Sequence, residues 1–248
     1  MDVPKSHPRY RSLLARKKLA DAAESGLVVP QGLIAQGRGE AFDYLFGEKT
    51  TPPAMKAERA AAAFLVLAGR PVISVNGNVA ALAARDVVKL ARAVHAGIEV
   101  NLFYRTAPRV RKVAKLLKLA GAKEVLGTKP DARIPGLESK RALCSREGIY
   151  SADVVLVPLE DGDRTQALVK MEKVVLAVDL NPMSRTSLAA TVTIVDELSR
   201  ALANIARFIP GMKRNRAAAE RTIRSFDNES NLREMYKHLH ASLRRLRR

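Results

Sequence analysis

One stretch of the sequence decides the fold: residues 72–103, VISVNGNVAALAARDVVKLARAVHAGIEVNLF. Two short β-branched segments, 72–75 and 98–103, predict strands, and the apolar residues between them recur at the i, i+3, i+4, i+7 spacing of an amphipathic helix. Gly97 predicts the end of that helix. A strand, a helix and a second strand in this order form the unit from which a parallel sheet covered by helices is built.

The same alternation of β-branched runs and helical segments continues along the chain. Four further runs predict strands, at 124–126, 154–158, 174–178 and 192–195. The predicted fold class is α/β and Rossmann-like, with a mostly parallel sheet of about six strands flanked by helices. We expect a single α/β domain of three parts: a helical N-terminal part over 1–70, a Rossmann-like core over 71–210 and a helical C-terminal extension over 211–248.

The composition limits the classes of protein that this chain can belong to. Its 248 residues are 47% apolar but contain no apolar run of about 20 residues, so we expect a soluble protein with a buried core and no membrane partner. The N-terminal residues lack an apolar segment followed by small residues, so we expect no secretory signal. The single cysteine, Cys144, cannot form an intrachain disulfide, which is typical of a cytoplasmic protein.

The net charge of +18 predicts anionic partners. Nucleic acid is the less favoured partner, because aromatic residues, on which single-stranded bases stack, make up only 4% of the chain. A small phosphorylated ligand accounts equally well for the charge. Two alternatives to an enzyme therefore stay open: a basic nucleic-acid-binding protein, and a nucleotide-binding α/β protein without catalysis.

Polar residues are concentrated immediately after the predicted strands. Ligands of open α/β sheets bind at the carboxyl ends of the strands, so these residues are the candidates for a site. They are Asn76 and Asn78 after the first strand, Arg105, Thr106 and Arg109 after the second, Glu160, Asp161 and Asp163 after the fourth, and the segment from Asp179 to Thr186 after the fifth. Each group also has a structural interpretation, because the start of any helix needs polar caps.

The common phosphate-binding and metal-binding motifs are missing from the sequence. It contains no GxxxxGK[ST] loop, no GxGxxG after a strand, no CxxC and no HExxH. Before the sheet, Gly37 and Gly39 flank Arg38, and this pattern lets a backbone approach a ligand closely while a guanidinium grips an oxyanion.

Six segments, taken in order, resemble the archaeal phosphopantothenate synthetase family, and together they span almost the whole chain. They are SHPRYRSLLAR (6–16), GLIAQGRGEAFDYL (32–45), PVISVNGN (71–78), VNLFYRT (100–106), VPLEDGDRT (157–165) and DLNPMSRTS (179–187). Gln36 departs from the pattern of the family, in which histidine is more usual. We expect no proton transfer at that position, because an amide does not titrate.

The resemblance implies an ATP-dependent ligase of coenzyme A biosynthesis. Its expected reaction condenses 4-phosphopantoate with beta-alanine through a phosphopantoyl-adenylate and yields 4-phosphopantothenate, AMP and pyrophosphate. The resemblance also implies ATP and Mg²⁺ as cofactors and a cytoplasmic homodimer as the assembly.

The resemblance further implies an ATP-binding set of nine residues: Arg16, Arg38, Asp179, Leu180, Asn181, Arg185, Thr186, Glu197 and Leu198. We assign the phosphate and hydroxyls of phosphopantoate to Asn76, Asn78, Arg105, Thr106 and Arg109. We place Glu160, Asp161 and Asp163 near Mg²⁺ or the ammonium group of beta-alanine. No catalytic base is identified from the sequence.

Replacing Arg38 by alanine is expected to weaken ATP binding or turnover while leaving the Tm of the apoprotein nearly unchanged. The reason is that a guanidinium that grips phosphate contributes to ligand binding rather than to the fold. Calorimetric ATP titration and a thermal melt of both proteins check this. A large fall in Tm would instead identify Arg38 as a structural residue.

Overall fold

The computed structural model describes residues 4–245, apart from the side-chain positions of residues 37, 38 and 245. Within this part of the chain there are seven strands: β1 (Pro71–Val75), β2 (Gly97–Val100), β3 (Ala132–Arg133), β4 (Leu143–Cys144), β5 (Val154–Pro158), β6 (Val174–Val178) and β7 (Val192–Ile194). Five of them form one parallel sheet in the order β2-β1-β5-β6-β7. The short strands β3 and β4 pair antiparallel in the connection between β2 and β5.

The order of the five parallel strands places a switch point between β1 and β5. Counted along the chain without the short pair, the order is 2-1-3-4-5, which is one of the two common orders of doubly wound α/β folds. β1 is hydrogen-bonded to β2 on one side and to β5 on the other, with Val72 opposite both Gly97 and Val155. The crevice at the carboxyl ends of β1 and β5 is therefore the place where ligands bind in such sheets.

Ten helices cover the sheet or extend from it within the described residues: α1 (Tyr10–Glu24), α2 (Pro30–Phe46), α3 (Pro52–Leu67), α4 (Gly77–Val94), α5 (Ala107–Leu119), α6 (Gly162–Lys170), α7 (Arg185–Ala189), α8 (Leu198–Arg214), α9 (Arg216–Ser225) and α10 (Asn228–Arg245). The strand side chains alternate between two buried clusters, as the twofold period of a strand requires. Ile73, Leu156 and Leu176 belong to the larger cluster, with residues of α3, α4 and α8. Val155 and Val175 belong to the cluster on the opposite face, with residues of α6.

The predicted fold class is confirmed, because a parallel sheet is flanked by helices and extended by helices at both ends. The sheet has five strands rather than about six. Segment 124–126 contributes only one bridge, between Leu126 and Glu99, so it is not a strand. The single-domain division stays a prediction. No helix in the described residues is long and apolar enough to cross a membrane.

Two element ends differ by more than one residue from the sequence-based prediction. β2 ends at Val100 rather than at Phe103, because the Asn101 side chain turns to donate to the carbonyls of Arg141 and Leu143 at 3.0 and 3.1 Å. α4 ends at Val94, and the left-handed residue that follows it is His95, with φ of 55°, rather than Gly97. A non-glycine residue seldom adopts this conformation, so the sequence rule misplaced the helix end.

Candidate functional site

Two cavities lie near the carboxyl ends of the strands. The first, which we call the switch-point cavity, has a volume of about 290 Å³ and lies at the ends of β1 and β5, against α2. Its polar lining side chains are Gln31, Gln36, Asn76, Asn78, Tyr104, Arg109, Arg141, Glu160, Asp161 and Asp179. It occupies the crevice that the strand order marks as the ligand position.

The second cavity, which we call the larger cavity, has a volume of about 740 Å³ and is enclosed by α1, α2 and the start of α8. Its polar lining side chains include Arg16, Gln36, Glu40, Asp43, Thr50, Glu197, Ser199, Arg200 and Asn204. Gln36 lines both cavities, so the two are neighbours across α2.

Two glycines allow the chain to pack closely around the switch-point cavity. A Cβ on Gly32 would lie 2.5 Å from Asn78 Oδ1, and a Cβ on Gly77 would lie 2.5 Å from the carbonyl oxygen of Leu27. Side chains at these positions would push α2 away from the start of α4. Asn78 fixes the same contact, because its Nδ2 donates to the Gly32 carbonyl at 2.9 Å.

Asn76 joins the ends of β1 and β5. Its Oδ1 accepts a hydrogen bond from the Val79 N–H at 3.0 Å and so caps α4, while its Nδ2 donates to the Leu159 carbonyl at 3.0 Å. Leu159 itself has a positive φ of 54°, a strained conformation for a branched residue and one that tends to occur at functional sites. Asn76 therefore shapes the cavity wall, and its hydrogen-bonding atoms already have protein partners.

Arg109 is an arginine without a carboxylate partner on the cavity wall. Its guanidinium donates to the carbonyls of Tyr104 and of Leu27, the latter at 3.2 Å, and no carboxylate of a described residue forms an ion pair with it. Partial burial lowers the pKa of Arg109, because water no longer solvates the charge fully. An anion in the cavity would compensate this charge.

The other two residues of the predicted Arg105-to-Arg109 group do not line the cavity. Arg105 donates to the carbonyl of Gly127, and burial lowers its pKa. Thr106 caps α5, where its Oγ1 accepts from the Arg109 N–H at 3.4 Å. Their contacts support the first turn of α5, which carries Arg109.

Glu160 is buried between two arginines beneath the switch-point cavity. Its side chain is 1% exposed and forms ion pairs with Arg141 and Arg164, and one of its oxygens accepts from the Asp161 N–H at 2.9 Å. Burial alone would raise the pKa of Glu160, but the two guanidinium groups outweigh it and hold the pKa below its ordinary value. Arg164 also donates to Ser74 Oγ of β1 at 3.2 Å.

The carboxylates predicted near Mg²⁺ are each paired with an arginine. Asp161, which is partly exposed, lies 2.9 Å from Arg141 Nε, and burial raises its pKa. Asp163 is exposed and lies 2.5 Å from Arg185. Among residues 4–245 no group of three or more His, Cys, Asp or Glu side chains could hold a metal ion. The predicted site for a protein-bound Mg²⁺ therefore does not fit, because Glu160, Asp161 and Asp163 do not form a set of ligands for it.

The loop after β6 is held by its own side chains. Asp179 accepts from the Asn181 N–H at 2.9 Å and from Ser184 Oγ at 2.5 Å. Thr186 Oγ1 donates to the Glu160 carbonyl at 2.9 Å and so joins this loop to the end of β5. Asp179 and Leu180 line the switch-point cavity, whereas the linings of the two cavities do not include Asn181, Arg185 or Thr186.

Of the remaining predicted ATP residues, Arg16 and Glu197 line the larger cavity. Arg16 of α1 lies 2.6 Å from a Glu40 oxygen of α2. Glu197 caps α8 by accepting from the N–H groups of Ser199 and Arg200 at 2.9 and 3.1 Å. The Leu198 side chain is buried in the core, so only its backbone could contact a ligand. Arg38 lies in α2, but its side chain is outside the described positions.

Sequence reasoning missed Arg141 and Arg200 as site residues. Arg141 lies in a single 3₁₀ turn between β3 and β4 and belongs to no motif. Arg200 follows Asp196 by four residues, and its Nε donates to Asp196 Oδ1 at 2.9 Å. That i, i+4 spacing was the only available signal.

The doubly wound sheet and the cavity at its switch point define an α/β protein that binds a small ligand there. The Arg109 guanidinium on the cavity wall, which no described carboxylate neutralises, suits an anionic group of that ligand. The chain belongs to the phosphopantothenate/pantothenate synthetase family, whose sequence profile matches residues 53–242.

Three relatives that are similar to this chain share one name, 4-phosphopantoate–beta-alanine ligase. The 4-phosphopantoate–beta-alanine ligase of Methanosarcina mazei is 57% identical over 94% of this chain and 92% of its own length. Those of Thermococcus onnurineus and Thermococcus kodakarensis are each 50% identical, over 98% and 99% of this chain and 94% and 95% of their own lengths. These matches confirm the resemblance drawn from the six segments.

Replacing Glu160 by glutamine is expected to destabilise the fold by about 3 to 5 kcal/mol near pH 7, because buried Arg164 loses its carboxylate partner and Arg141 keeps only the partly exposed Asp161. The folded-state pKa of Glu160 is lowered, so its contribution is present above the unfolded pKa of about 4.3 and is lost as the pH falls through the folded value. The cost of the substitution should therefore shrink on acidification. Urea unfolding of both proteins from neutral to acidic pH measures it.

Asp163→Asn is the matched control, because Asp163 lies three residues further on, in the first turn of α6, and its pair with Arg185 is exposed. Its free energy of unfolding should change by less than about 0.5 kcal/mol. A cost for Glu160→Gln that stays constant at every pH would contradict the assignment of the charge.

Proposed function

We propose that this protein is a 4-phosphopantoate–beta-alanine ligase that uses ATP to make 4-phosphopantothenate, AMP and pyrophosphate for coenzyme A biosynthesis. The observation that carries the proposal is the set of relatives of that name, which are 50–57% identical over 94% or more of the chain. The cavity at the switch point supports it, because the reaction needs several anionic groups to be gathered in one place.

Phosphopantoate is assigned to the switch-point cavity. The acid carries a phosphate and a carboxylate, and Arg109 supplies a guanidinium that no described carboxylate neutralises. The N-terminus of the 18-residue helix α4 begins at the same place, with its free N–H groups and positive dipole end favouring an anion. Asn76 and Asn78 hold this end of α4 in position.

ATP is assigned to a path from the rim of the switch-point cavity into the larger cavity. Asp179 and Leu180 are at the first end of this path, and Arg16 and Glu197 are at the other. In this assignment, Arg16 leaves Glu40 and binds a phosphate of ATP. Arg38 of α2 is assigned to the same phosphate. This path places the α-phosphate near the boundary at Gln36, where the carboxylate of phosphopantoate can approach it.

The chemistry proceeds in two displacements. A carboxylate oxygen of phosphopantoate attacks the α-phosphorus, the bond to the bridging oxygen breaks, and pyrophosphate leaves with the electron pair. The amine of beta-alanine then attacks the acyl carbon, AMP leaves, and the amine loses a proton. Arginine side chains stabilise the negative charge that develops on the phosphates. Asp161, on the cavity wall with a raised pKa, is assigned to the ammonium group of beta-alanine.

Mg²⁺ is proposed as part of the ATP substrate, held by the phosphates, because the described carboxylates do not form a cluster for it. We further propose a homodimer in the cytoplasm. Large apolar side chains that are exposed on α2 and α7, such as Ile34 at 76% and Leu188 at 63%, would be covered in a dimer. Sedimentation of the purified protein tests the dimer.

The function is tested by pyrophosphate release from ATP and Mg²⁺ with 4-phosphopantoate, with and without beta-alanine. We expect at most one equivalent per site without beta-alanine and continuous turnover with it, because the amine regenerates the enzyme from the adenylate. Unphosphorylated pantoate is the substrate control and should be a poor substrate. A folded protein that releases no pyrophosphate with any combination rules out the ligase.

Replacing Arg109 by alanine should lower kcat/KM for 4-phosphopantoate by about 10- to 100-fold, because a charge-assisted hydrogen bond to the substrate is lost. Steady-state kinetics with varied acid and varied ATP measure this, and the KM for ATP should change little. Arg109→Lys retains the charge and should recover part of the loss. Arg111→Ala, an exposed residue on the same helix, is the matched control. An equal loss in both alanine variants would show that only the overall charge matters.

A further inference from the structure

Two acidic side chains contact each other in the protein interior beneath the larger cavity. Glu58 lies on the buried face of the Ala-rich helix α3, and Asp196 follows β7. Their exposed fractions are 0% and 1%, and the two carboxyl groups are within hydrogen-bonding reach of each other. Two carboxylates in contact away from water cannot both be charged at neutral pH, so one of them carries a proton.

The surrounding donors decide which carboxyl group is ionised. Asp196 accepts three hydrogen bonds, from Thr50 Oγ1 at 2.5 Å, from the Glu197 N–H at 2.7 Å and from Arg200 Nε at 2.9 Å. These donors stabilise a negative charge on Asp196.

Glu58 lacks such a donor set. Neither of its carboxyl oxygens has a hydrogen-bond donor among the described residues. The Asn204 amide donates to Thr50 Oγ1 at 3.0 Å, and its effect in favour of a charged Glu58 is outweighed by burial and by Asp196. This environment favours the neutral, protonated form of Glu58, because the O–H of a protonated carboxyl group can donate to the Asp196 carboxylate.

The other neighbours of Glu58 do not reverse this assignment. Arg207 of α8 is the cation that acts on it, and Arg207 and Asn204 oppose the effects of burial and of Asp196. α9 and α10, which also pack against α3, contribute apolar groups such as Ala219 and Met235. Burial, reinforced by the charge of Asp196, raises the pKa of Glu58 to about 9.

We propose that Glu58 is a positioning residue: it carries a proton and donates it in a hydrogen bond to the Asp196 carboxylate. Asp196, fixed in this way, holds Thr50 and Arg200, which both line the larger cavity. The consequence for ligand binding rests on the proposed assignment of ATP to that cavity. The protonation state rests only on the interior contact, so the two parts have separate tests.

The first test compares the Tm of the full-length wild type with that of Glu58→Gln from about pH 5 to pH 9. In the wild type, folding keeps a proton on a group that ionises near pH 4.3 when unfolded, so stability falls as the pH rises towards the folded pKa. Glutamine is neutral at every pH, so the Tm of the variant should rise relative to the wild type by roughly 5 °C or more across this range. Parallel Tm profiles would overturn the protonation assignment.

The second test compares the KM for ATP and kcat of Glu58→Gln and Glu58→Met at neutral pH. Glutamine can still donate to Asp196 through its amide, so the KM for ATP should stay within about twofold of the wild type. Methionine fills a similar volume but donates nothing, so we expect a rise of roughly 10-fold in the KM for ATP with a smaller change in kcat. Lys56→Gln, on the exposed face of the same helix, is the control.

The outcomes separate this proposal from the proposed function. If Glu58→Met folds and keeps the wild-type KM for ATP, Glu58 is structural and its positioning role is refuted. If Glu58→Met does not fold, the KM for ATP is compared between the wild type and Glu58→Gln from neutral pH to about pH 9, where Glu58 loses its proton. A rise in the wild type that is absent in Glu58→Gln supports positioning, and parallel profiles refute it. If the wild type has no ligase activity, the proposed function fails, while the Tm profiles still decide the protonation of Glu58.

Discussion

The site depends on the ion pairs that Glu160 makes with Arg141 and Arg164. These three side chains come from the end of β5, the β3–β4 connection and the first turns of α6, and Arg164 also reaches Ser74 of β1. The charges of this cluster balance, because Asp161 also pairs with Arg141, so two carboxylates face two guanidinium groups. Arg109 adds another cation on the wall. Burying the charge of Arg109 is costly, and a bound anion offsets that cost. The Glu160 ion pairs therefore join the sheet to its connections, while Arg109 makes the cavity receptive to an anion.

The second constraint on the site is the close packing of α2 against the start of α4, at the carboxyl ends of the strands. Gly32 and Gly77 permit the approach, and the Asn78 amide secures it by donating to the Gly32 carbonyl. A cavity formed against a helix in this way has walls of fixed shape, because backbone rather than flexible side chains sets the distance. The polar groups of the cavity are therefore held in place before a ligand arrives, which reduces the entropy lost on binding.

Much of the fold could be predicted because β-branched runs and helical spacing are local signals. The errors arose where tertiary contacts decide the local conformation: His95 rather than Gly97 is the left-handed residue, and Leu126 forms only a bridge. The rule that ligands bind at the carboxyl ends of parallel strands identified the correct end of the sheet. It could not show which polar side chains at that end already have partners within the protein. Asn76, Thr106 and Asp163 all have partners within the protein, whereas no carboxylate of a described residue pairs with Arg109. Nothing in the sequence around Glu58 indicates that an alanine-rich helix would place an acid against Asp196.

Gln36 is the side chain that the two cavities share, and this has a thermodynamic consequence. A ligand that moves the Gln36 side chain in one cavity also changes the shape of the other cavity. It therefore changes the surroundings of a ligand that is bound there. Linkage then requires reciprocity: if ATP alters the affinity for the acid by some factor, the acid alters the affinity for ATP by the same factor. Because Gln36 is an uncharged amide, coupling that passes through its side chain would not change with pH through ionisation of that side chain.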